Sequence, residues 1–301
     1  MNNLLSICDI KDDILEILDL AKRFKNGEME EKPLKDKSLA MIFEKSSTRT
    51  RVSFDIGMYQ LGGQSLFLSQ SDLQMGRGEP IADTAKVLSR YVDGIMIRAV
   101  NHSDVEQLAK EADVPVISGL TNIEHPCQAL ADLQTIEEHL GDFKNLKLCY
   151  VGDGNNVCNS LLLASACVGM DMSVACPEGY EPNSEIIKIA SELSKKTNCT
   201  ITISPDIEKC VKDADAVYTD VWVSMGDEAE QEKRMNDLLK YQVNVDLMKL
   251  AKENAIFMHC LPAIRGQEVS SEIIDGPQSV IFDEAENRLH AQKAVLYYFL
   301  K

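Results

Sequence analysis

The sequence predicts an α/β protein made of two doubly wound parallel-sheet domains, with a C-terminal helix crossing back to the first domain. Three observations carry this prediction. From residue 38 onward, short apolar runs alternate with helical patterns almost to the end of the chain. Polar clusters stand where many of those runs stop. The length of 301 residues suits about two domains, each with a core of its own.

Taken in order, residues 9–26 read as an amphipathic helix. Asp9 is placed to cap it, Ile10, Ile14, Ile17, Leu18 and Ala21 form its apolar face, and Gly27 stops it. Strands are predicted at 38–43, 64–69, 93–98 and 114–118, with helices near 48–60, 81–92, 103–112 and 126–140. In the helix near 48–60, Val52, Ile56, Tyr59 and Gln60 fall at helical spacing before Gly62-Gly63. A second series of strands follows near 146–151, 171–176, 200–203, 215–219, 255–258 and 279–282. Runs of this kind, apolar throughout and separated by helices, indicate parallel strands covered on both faces. The polar break Gly141-Asp142-Phe143-Lys144-Asn145 divides a first domain, 1–141, from a second, 142–285. A final helix over 286–300 is apolar at Leu289, Ala294, Val295, Leu296 and Phe299, so it needs burial.

Composition excludes several classes. Hydrophobic residues make up 45% and charged residues 26%, ordinary values for a soluble globular chain. No apolar run approaches the ~20 residues of a membrane span, and the start of the chain is too short for a signal peptide. The nine cysteines are scattered and contain no Cys-x-x-Cys pair. Cys149, Cys158, Cys167 and Cys176 stand in apolar contexts, which predicts buried free thiols in a cytoplasmic protein and no structural zinc. A net charge of −17 argues against nucleic acid or an anionic membrane as partner. Any anion site in such a chain requires several arginines converging locally, because salt screens distant acids only beyond about 8 Å.

One turn is built to hold an anion. Phe43-Glu44-Lys45-Ser46-Ser47-Thr48-Arg49-Thr50-Arg51 joins a buried strand to a helix. Backbone N–H groups are exposed there at the positive end of the helix dipole. Ser47, Thr48 and Thr50 add hydroxyls, and Arg49 adds a planar guanidinium fork, a donor set suited to a phosphate. Ligands of open parallel sheets bind beyond the carboxyl ends of the strands. Arg98 stands at such an end. So do His125-Pro126-Cys127-Gln128, Gly152-Asp153-Gly154-Asn155-Asn156, Asp220 to Gly226, His259-Cys260-Leu261-Pro262 and Glu284 to Arg288.

These pieces resemble the aspartate/ornithine carbamoyltransferase family. Ser47-Thr48-Arg49-Thr50 and His125-Pro126-Cys127-Gln128 match the general pattern. Asp220-x-x-x-Ser224-Met225-Gly226 and His259-Cys260-Leu261-Pro262 match the ornithine branch, and the matches run through essentially the whole chain in order. The resemblance implies a carbamoyl-phosphate domain followed by an ornithine domain, and transfer of a carbamoyl group to ornithine, giving citrulline and phosphate, in arginine biosynthesis. It implies no metal and no organic cofactor. It also implies a homotrimer, or a multiple of trimers, with active sites at subunit interfaces.

By the same resemblance Ser47, Thr48, Arg49, Thr50, Arg98 and Arg288 hold the phosphate, and Gln74 reaches the donor bound to a neighbouring subunit. His125 and Gln128 take the carbamoyl end, with His125 and Arg98 stabilising the oxyanion. Cys260, which the resemblance counts with Arg98 and His125 as catalytic, and Leu261 also bind the carbamoyl phosphate and lie beside the attacking amine, through a backbone carbonyl or the thiol. Asn156, Asp220, Ser224 and Met225 hold the α-carboxylate and α-ammonium of ornithine, and the loop 224–226 closes over it. The charged run Asp227 to Arg234 reads as a solvated helix start.

Rival readings remain open at this level. Putrescine, lysine or aspartate are alternative acceptors. A nicotinamide-dependent oxidoreductase is suggested by Gly152-Asp153-Gly154 after a strand, although Val157 stands where the third glycine of that fingerprint belongs. A non-catalytic homologue would not need the intact arginine and histidine set.

Overall fold

The last helix and the first sheet belong together. In the computed structural model, which describes residues 3–29, 32–71, 73–74, 78–223 and 228–301, the chain forms two compact units. The first comprises 1–134 with 286–301, and the second comprises 135–285.

The first unit begins with a 3-10 turn at Ile7–Ile10 and a helix α1 (Ile14–Lys25). Then follow β1 (Ser38–Phe43), α2 (Thr48–Gln60), β2 (Gln64–Ser69), α3 (Ile81–Leu88), β3 (Gly94–Arg98), α4 (His102–Glu111) and β4 (Val116–Leu120), and α5 (Pro126–Leu140) runs on into the second unit. The four strands pair in the order β2-β1-β3-β4, all parallel. The second unit contains β5 (Lys147–Val151), α6 (Asn156–Val168), β6 (Asp171–Ala175), α7 (Ser184–Thr197), β7 (Ile201–Ser204), α8 (Ile207–Val211), β8 (Ala216–Tyr218), α9 (Gln231–Leu238), α10 (Val245–Met248), β9 (Ile256–Met258) and α11 (Ser271–Ile274). Its sheet runs β7-β6-β5-β8-β9, again all parallel. A final helix α12 (Ile281–Leu300) completes the chain.

The central strands β1, β3 and β5 are buried over almost every residue, whereas the edge strand β2 alternates between exposed and half-buried positions. In α12, Ala291, Ala294, Val295 and Leu296 are all buried, each large apolar side chain contributing roughly 1.5–3 kcal/mol. The helix comes close because its neighbours are small. A Cβ on Gly94 would lie 2.5 Å from Leu300 Cδ2, and one on Gly57 of α2 would lie 3.5 Å from Leu296 Cδ1. Phe24 of α1 meets Tyr297 edge to face, with ring centroids 5.6 Å apart.

Two local expectations are corrected, and the helix over 48–60 is present with its apolar series turned outward. Asp9 does not cap a helix beginning there. It closes a capping box with Ser6 on the 3-10 turn, its carboxylate accepting the Leu5 and Ser6 N–H groups at 2.7 and 2.9 Å. The apolar series Val52, Ile56 and Tyr59 of α2 faces outward, and Tyr59 is 76% exposed. The buried face of α2 is Thr50, Ser53, Phe54, Gly57 and Met58, because Gly57 admits the last helix. Residues 279–282 do not form a strand. Ser279 makes one isolated bridge to Phe257, and α12 begins at Ile281.

Each sheet has a point where its winding reverses. In the first it lies between β1 and β3, and in the second between β5 and β8. Loops leaving neighbouring strands there part to opposite faces and leave a crevice at the carboxyl ends. The predicted site residues gather at these two crevices.

Candidate active site

At the carboxyl end of the first sheet, α2 starts one residue after Ser47. Ser47 is in extended conformation, and its hydroxyl accepts the Thr50 N–H at 3.3 Å, the geometry of an N-cap. Arg98, the last residue of β3, donates from Nη1 to Ser47 Oγ at 3.2 Å and to Thr50 Oγ1 at 3.3 Å. Arg288, 190 positions later in the sequence, donates from Nη2 to the same Thr50 hydroxyl at 3.2 Å and from Nη1 to Gln128 Oε1 at 2.7 Å. Gln128 in turn donates from Nε2 to Asp132 Oδ1 at 2.8 Å. Thr50, Arg98, Gln128 and Arg288 are all buried, so two guanidinium groups are held rigidly out of bulk water.

His125 completes this group. Its carbonyl accepts the Gln128 and Ala129 N–H groups at 3.0 and 3.2 Å, so it caps α5, and Pro126 occupies the first helical position. Burial, reinforced by Arg288, Arg98 and Arg49, holds the imidazole well below its ordinary pKa of 6.5. At neutral pH it is uncharged and retains one ring N–H to donate. A bulge supplies the fine adjustment. Ile97 pairs with Ser118 but Arg98 pairs with Leu120, leaving Gly119 as the extra residue of β4. A Cβ on Gly119 would stand 2.8 Å from Met96 Sδ and 3.4 Å from Thr50 Cγ2. A larger residue there would displace the Met96 side chain, while its contact with Thr50 would be an ordinary one.

At the carboxyl end of the second sheet the chemistry changes sign. Asp220 follows β8 and is 7% exposed. Its Oδ1 accepts the Val221 N–H at 2.8 Å and the Cys260 thiol at 3.2 Å. Its Oδ2 accepts Asn155 Nδ2 at 2.7 Å. Asn155 is the N-cap of α6, its Oδ1 accepting Val157 and Cys158 N–H at 3.0 and 3.2 Å, so Asn156 opens the helix beside it.

Cys260 and Leu261 are held by the residue before them. His259 is fully buried, its Nδ1 accepts the Leu261 N–H at 2.9 Å, and its Nε2 therefore faces Glu268 Oε1, 3.2 Å away, as the donor. Leu261 takes the left-handed conformation, φ +58°, and this bond fixes it there. Asp220, His259 and Cys260 bring potential metal-ligand atoms within 4.8 Å of one another. Both imidazole nitrogens are already engaged, so the trio is better described as a hydrogen-bonded scaffold than as a metal centre.

The remaining predicted residues divide. Arg49 contributes to the field on His125, and Thr48 is exposed at the start of α2. Gln74 is exposed, and its carbonyl accepts the Glu79 N–H at 3.1 Å. Ser224 and Met225, and the loop 224–226 with them, lie outside the described residues. Cys127 is buried in the first turn of α5, its thiol 3.6 Å from the Ser118 carbonyl, and burial pushes the thiol pKa up to about 12.

The charged segment ending at Arg234 is solvated as expected over 229–233 and leads into α9, with Arg234 as the exception. Arg234 is largely buried, pairs with Asp153 at 2.7 Å and lies 5.4 Å from the centroid of the Tyr180 ring. Asn155 is a site residue that the family pattern does not assign, and its signal in the sequence is that of an N-cap, an asparagine before an apolar helical run. The glycines of Gly152-Asp153-Gly154 have a local role. A Cβ on Gly154 would lie 2.3 Å from Pro182 N, and Gly154 N–H donates to Tyr180 O at 2.8 Å. Asn155 already occupies the α6 donors that a dinucleotide pyrophosphate would use. That geometry disfavours the oxidoreductase reading.

Comparison with known proteins agrees with this division of labour. Residues 2–138 match the family model described as aspartate/ornithine carbamoyltransferase, carbamoyl-P binding domain, and residues 144–299 match the Asp/Orn binding domain of the same family. The ornithine carbamoyltransferase of Methanobrevibacter smithii is 73% identical over 301 residues, all of both chains. That of Methanosphaera stadtmanae is 60% identical over the same length. Among solved structures, the ornithine carbamoyltransferase from Pyrococcus furiosus superposes with a TM-score of 0.96 at 53% identity, covering 99% of this chain and 97% of that one.

Proposed function

This chain belongs to the aspartate/ornithine carbamoyltransferase family, and we propose that it transfers the carbamoyl group of carbamoyl phosphate to the side-chain amine of L-ornithine, giving L-citrulline and phosphate. The observation that carries the reading is the meeting of Arg98 and Arg288 on Thr50, at the N-terminus of α2 and beside a neutral His125.

In this reading the first unit binds the donor. The N-terminal N–H groups of α2, the hydroxyls of Ser47, Thr48 and Thr50, and Arg49, Arg98 and Arg288 surround the phosphate dianion. Gln128 holds the carbamoyl amide. His125, Arg98 and Thr50 donate to the carbonyl oxygen as the tetrahedral intermediate gathers negative charge; losing one such donor typically costs about 10²–10³ in turnover. Nitrogen–carbon bond formation is followed by cleavage of the carbon–oxygen bond to phosphate, which leaves carrying that electron pair and takes up the proton lost from the amine nitrogen.

The second unit binds ornithine. Asp220 pairs the α-ammonium, Asn156 with Ser224 and Met225 holds the α-carboxylate, and Cys260 and Leu261 border the side-chain amine. That amine attacks only when neutral. With a lysine-like pKa near 10.4, the neutral form costs roughly 4–5 kcal/mol at pH 7, so neighbouring cations that disfavour the ammonium help the reaction.

The biological setting we infer is arginine biosynthesis in the cytoplasm. Among the described residues no helix is long and apolar enough to cross a membrane. The assembly we infer is a trimer, in which Gln74 reaches a neighbouring subunit's carbamoyl phosphate. The outward apolar side chains of Val52, Ile56 and Tyr59 on α2 and Leu66 on β2 support a subunit contact on this face of the first unit.

The test is product formation from carbamoyl phosphate with ornithine, putrescine, lysine and aspartate offered separately. Ornithine is expected to give by far the highest kcat/KM. Faster turnover of putrescine or aspartate would overturn the assignment. Sedimentation as a stable monomer would overturn the trimer.

A further inference from the structure

Two stacked tyrosines sit behind the second site. Tyr150 and Tyr218 occupy matching register positions on the adjacent strands β5 and β8, with ring centroids 5.9 Å apart and planes 19° from parallel. Both are fully buried. Packing alone would be served by phenylalanine, because a buried hydroxyl is costly unless it is bonded. The two hydroxyls point to different partners. Tyr150 donates to Asn155 Oδ1 at 3.2 Å, and Asn155 Nδ2 donates to Asp220 Oδ2 at 2.7 Å. Tyr218 donates to Glu284 Oε1 at 3.0 Å, and Glu284 Oε2 accepts the backbone N–H of His259, the neighbour of Cys260, at 2.9 Å. The Cys260 thiol on Asp220 Oδ1 closes the ring at 3.2 Å.

We infer that Asn155, Tyr150 and Tyr218 are positioning residues that hold Asp220 and Cys260 in one mutual geometry for the diamino acid. The inference rests on the reading of Asp220 as the partner of the α-ammonium. Residue choice at position 155 supports it. Asparagine, aspartate and serine cap helices about equally well, so capping does not select among them. The contact with Asp220 does. Aspartate would set a second carboxylate against the first, and serine has no donor long enough to reach it. Burial, with Asp220 nearby, raises the Tyr150 pKa well above its usual 10.0, so its hydroxyl remains a donor throughout the working pH range.

The experiment uses the full chain with Asn155→Ser, Tyr150→Phe and Tyr218→Phe, reading KM for each substrate, kcat and the thermal midpoint. Asn155→Ser keeps the cap and removes the donor. It is expected to raise KM for ornithine about 10-fold while leaving KM for carbamoyl phosphate within twofold. Tyr150→Phe and Tyr218→Phe should each raise KM for ornithine about 3–10-fold, the effect of one hydrogen bond. The double variant Asn155→Ser with Tyr150→Phe should be no worse than Asn155→Ser alone, because the two act in series.

An unchanged KM for ornithine in Asn155→Ser would overturn the inference. So would parallel rises in both KM values that track a lower thermal midpoint, which would mark the ring as merely structural. Should Asn155→Ser fail to fold, Tyr150→Phe carries the same decision. Asp220→Asn separates the two levels of argument. If that variant binds ornithine normally, the reading of Asp220 itself fails. If it binds poorly while the Asn155 and tyrosine variants bind normally, only the present inference fails.

Discussion

The two sheet ends are made by the same topological device and filled with opposite charge. At each reversal point a helix follows the strand, and the side chain of its N-cap residue is tied to the charged group of the site. On the first sheet Ser47 caps α2 and accepts from Arg98. On the second Asn155 caps α6 and donates to Asp220. A serine hydroxyl accepting from a guanidinium fixes a cation at the helix end, whereas an amide donating to a carboxylate fixes an acid there. Helix-end geometry therefore does not make a phosphate site by itself. The cap's second partner decides the sign.

The sharpest way to break this contrast is to remove a cation from the first site. Arg288→Gln should lower kcat/KM for carbamoyl phosphate by about 10²–10³, with ornithine binding to the donor-saturated enzyme little changed. A defect confined to ornithine would refute the assignment of the first unit.

The reciprocal change comes next. Asp220→Asn should raise KM for ornithine about 10–100-fold, as expected for loss of a hydrogen bond between charged groups. Calorimetric titration with carbamoyl phosphate should give the parent affinity, and a weakened donor affinity would blur the comparison beyond use.

A pH effect sharpens it further. His125 is held neutral in the folded state well below 6.5, while in the unfolded chain it takes up a proton near that value. Its contribution is therefore undiminished above pH 6.5 and is lost as pH falls below it, by about 1.4 kcal/mol per pH unit. His125→Asn should flatten this part of the stability-versus-pH curve, measured by urea unfolding between pH 7 and 5. Parallel curves for the two proteins would contradict the buried neutral imidazole.

The smallest effect is expected at Cys127. Its thiol is pushed up to about 12 by burial, so it should resist iodoacetamide in the folded enzyme at pH 8. Cys127→Ala should keep activity within about twofold of the parent, because the residue acts as a small apolar side chain. Rapid alkylation with loss of turnover would give it a role that its position does not suggest.

Much of the first site was legible because its parts are short-range. A strand, a serine cap and a hydroxyl-rich first turn occupy consecutive positions, and His125, Pro126 and Gln128 are likewise contiguous. The outward face of α2 was not legible, because helical periodicity records that apolar residues share a side without recording what covers that side. The strand expected at 279–282 failed for a related reason. Four apolar and polar residues suit a strand or a first helical turn equally, and the pairing with Phe257 extends only to Ser279.

From the chain's residue order alone came the alternation of strands and helices, the two-domain plan, the family and the set of groups able to bind an anion. Those properties are local or additive, so a linear pattern carries them. The meeting of Arg98 with Arg288 on a single hydroxyl, the bulge at Gly119 beneath Thr50, the ring through Tyr150, Asn155, Asp220, Cys260, Glu284 and Tyr218, and the ion pair that buries Arg234 came only with the folded chain. Each depends on strand order and register, which bring residues tens to hundreds of positions apart within 3 Å or so. No spacing rule reaches across such intervals.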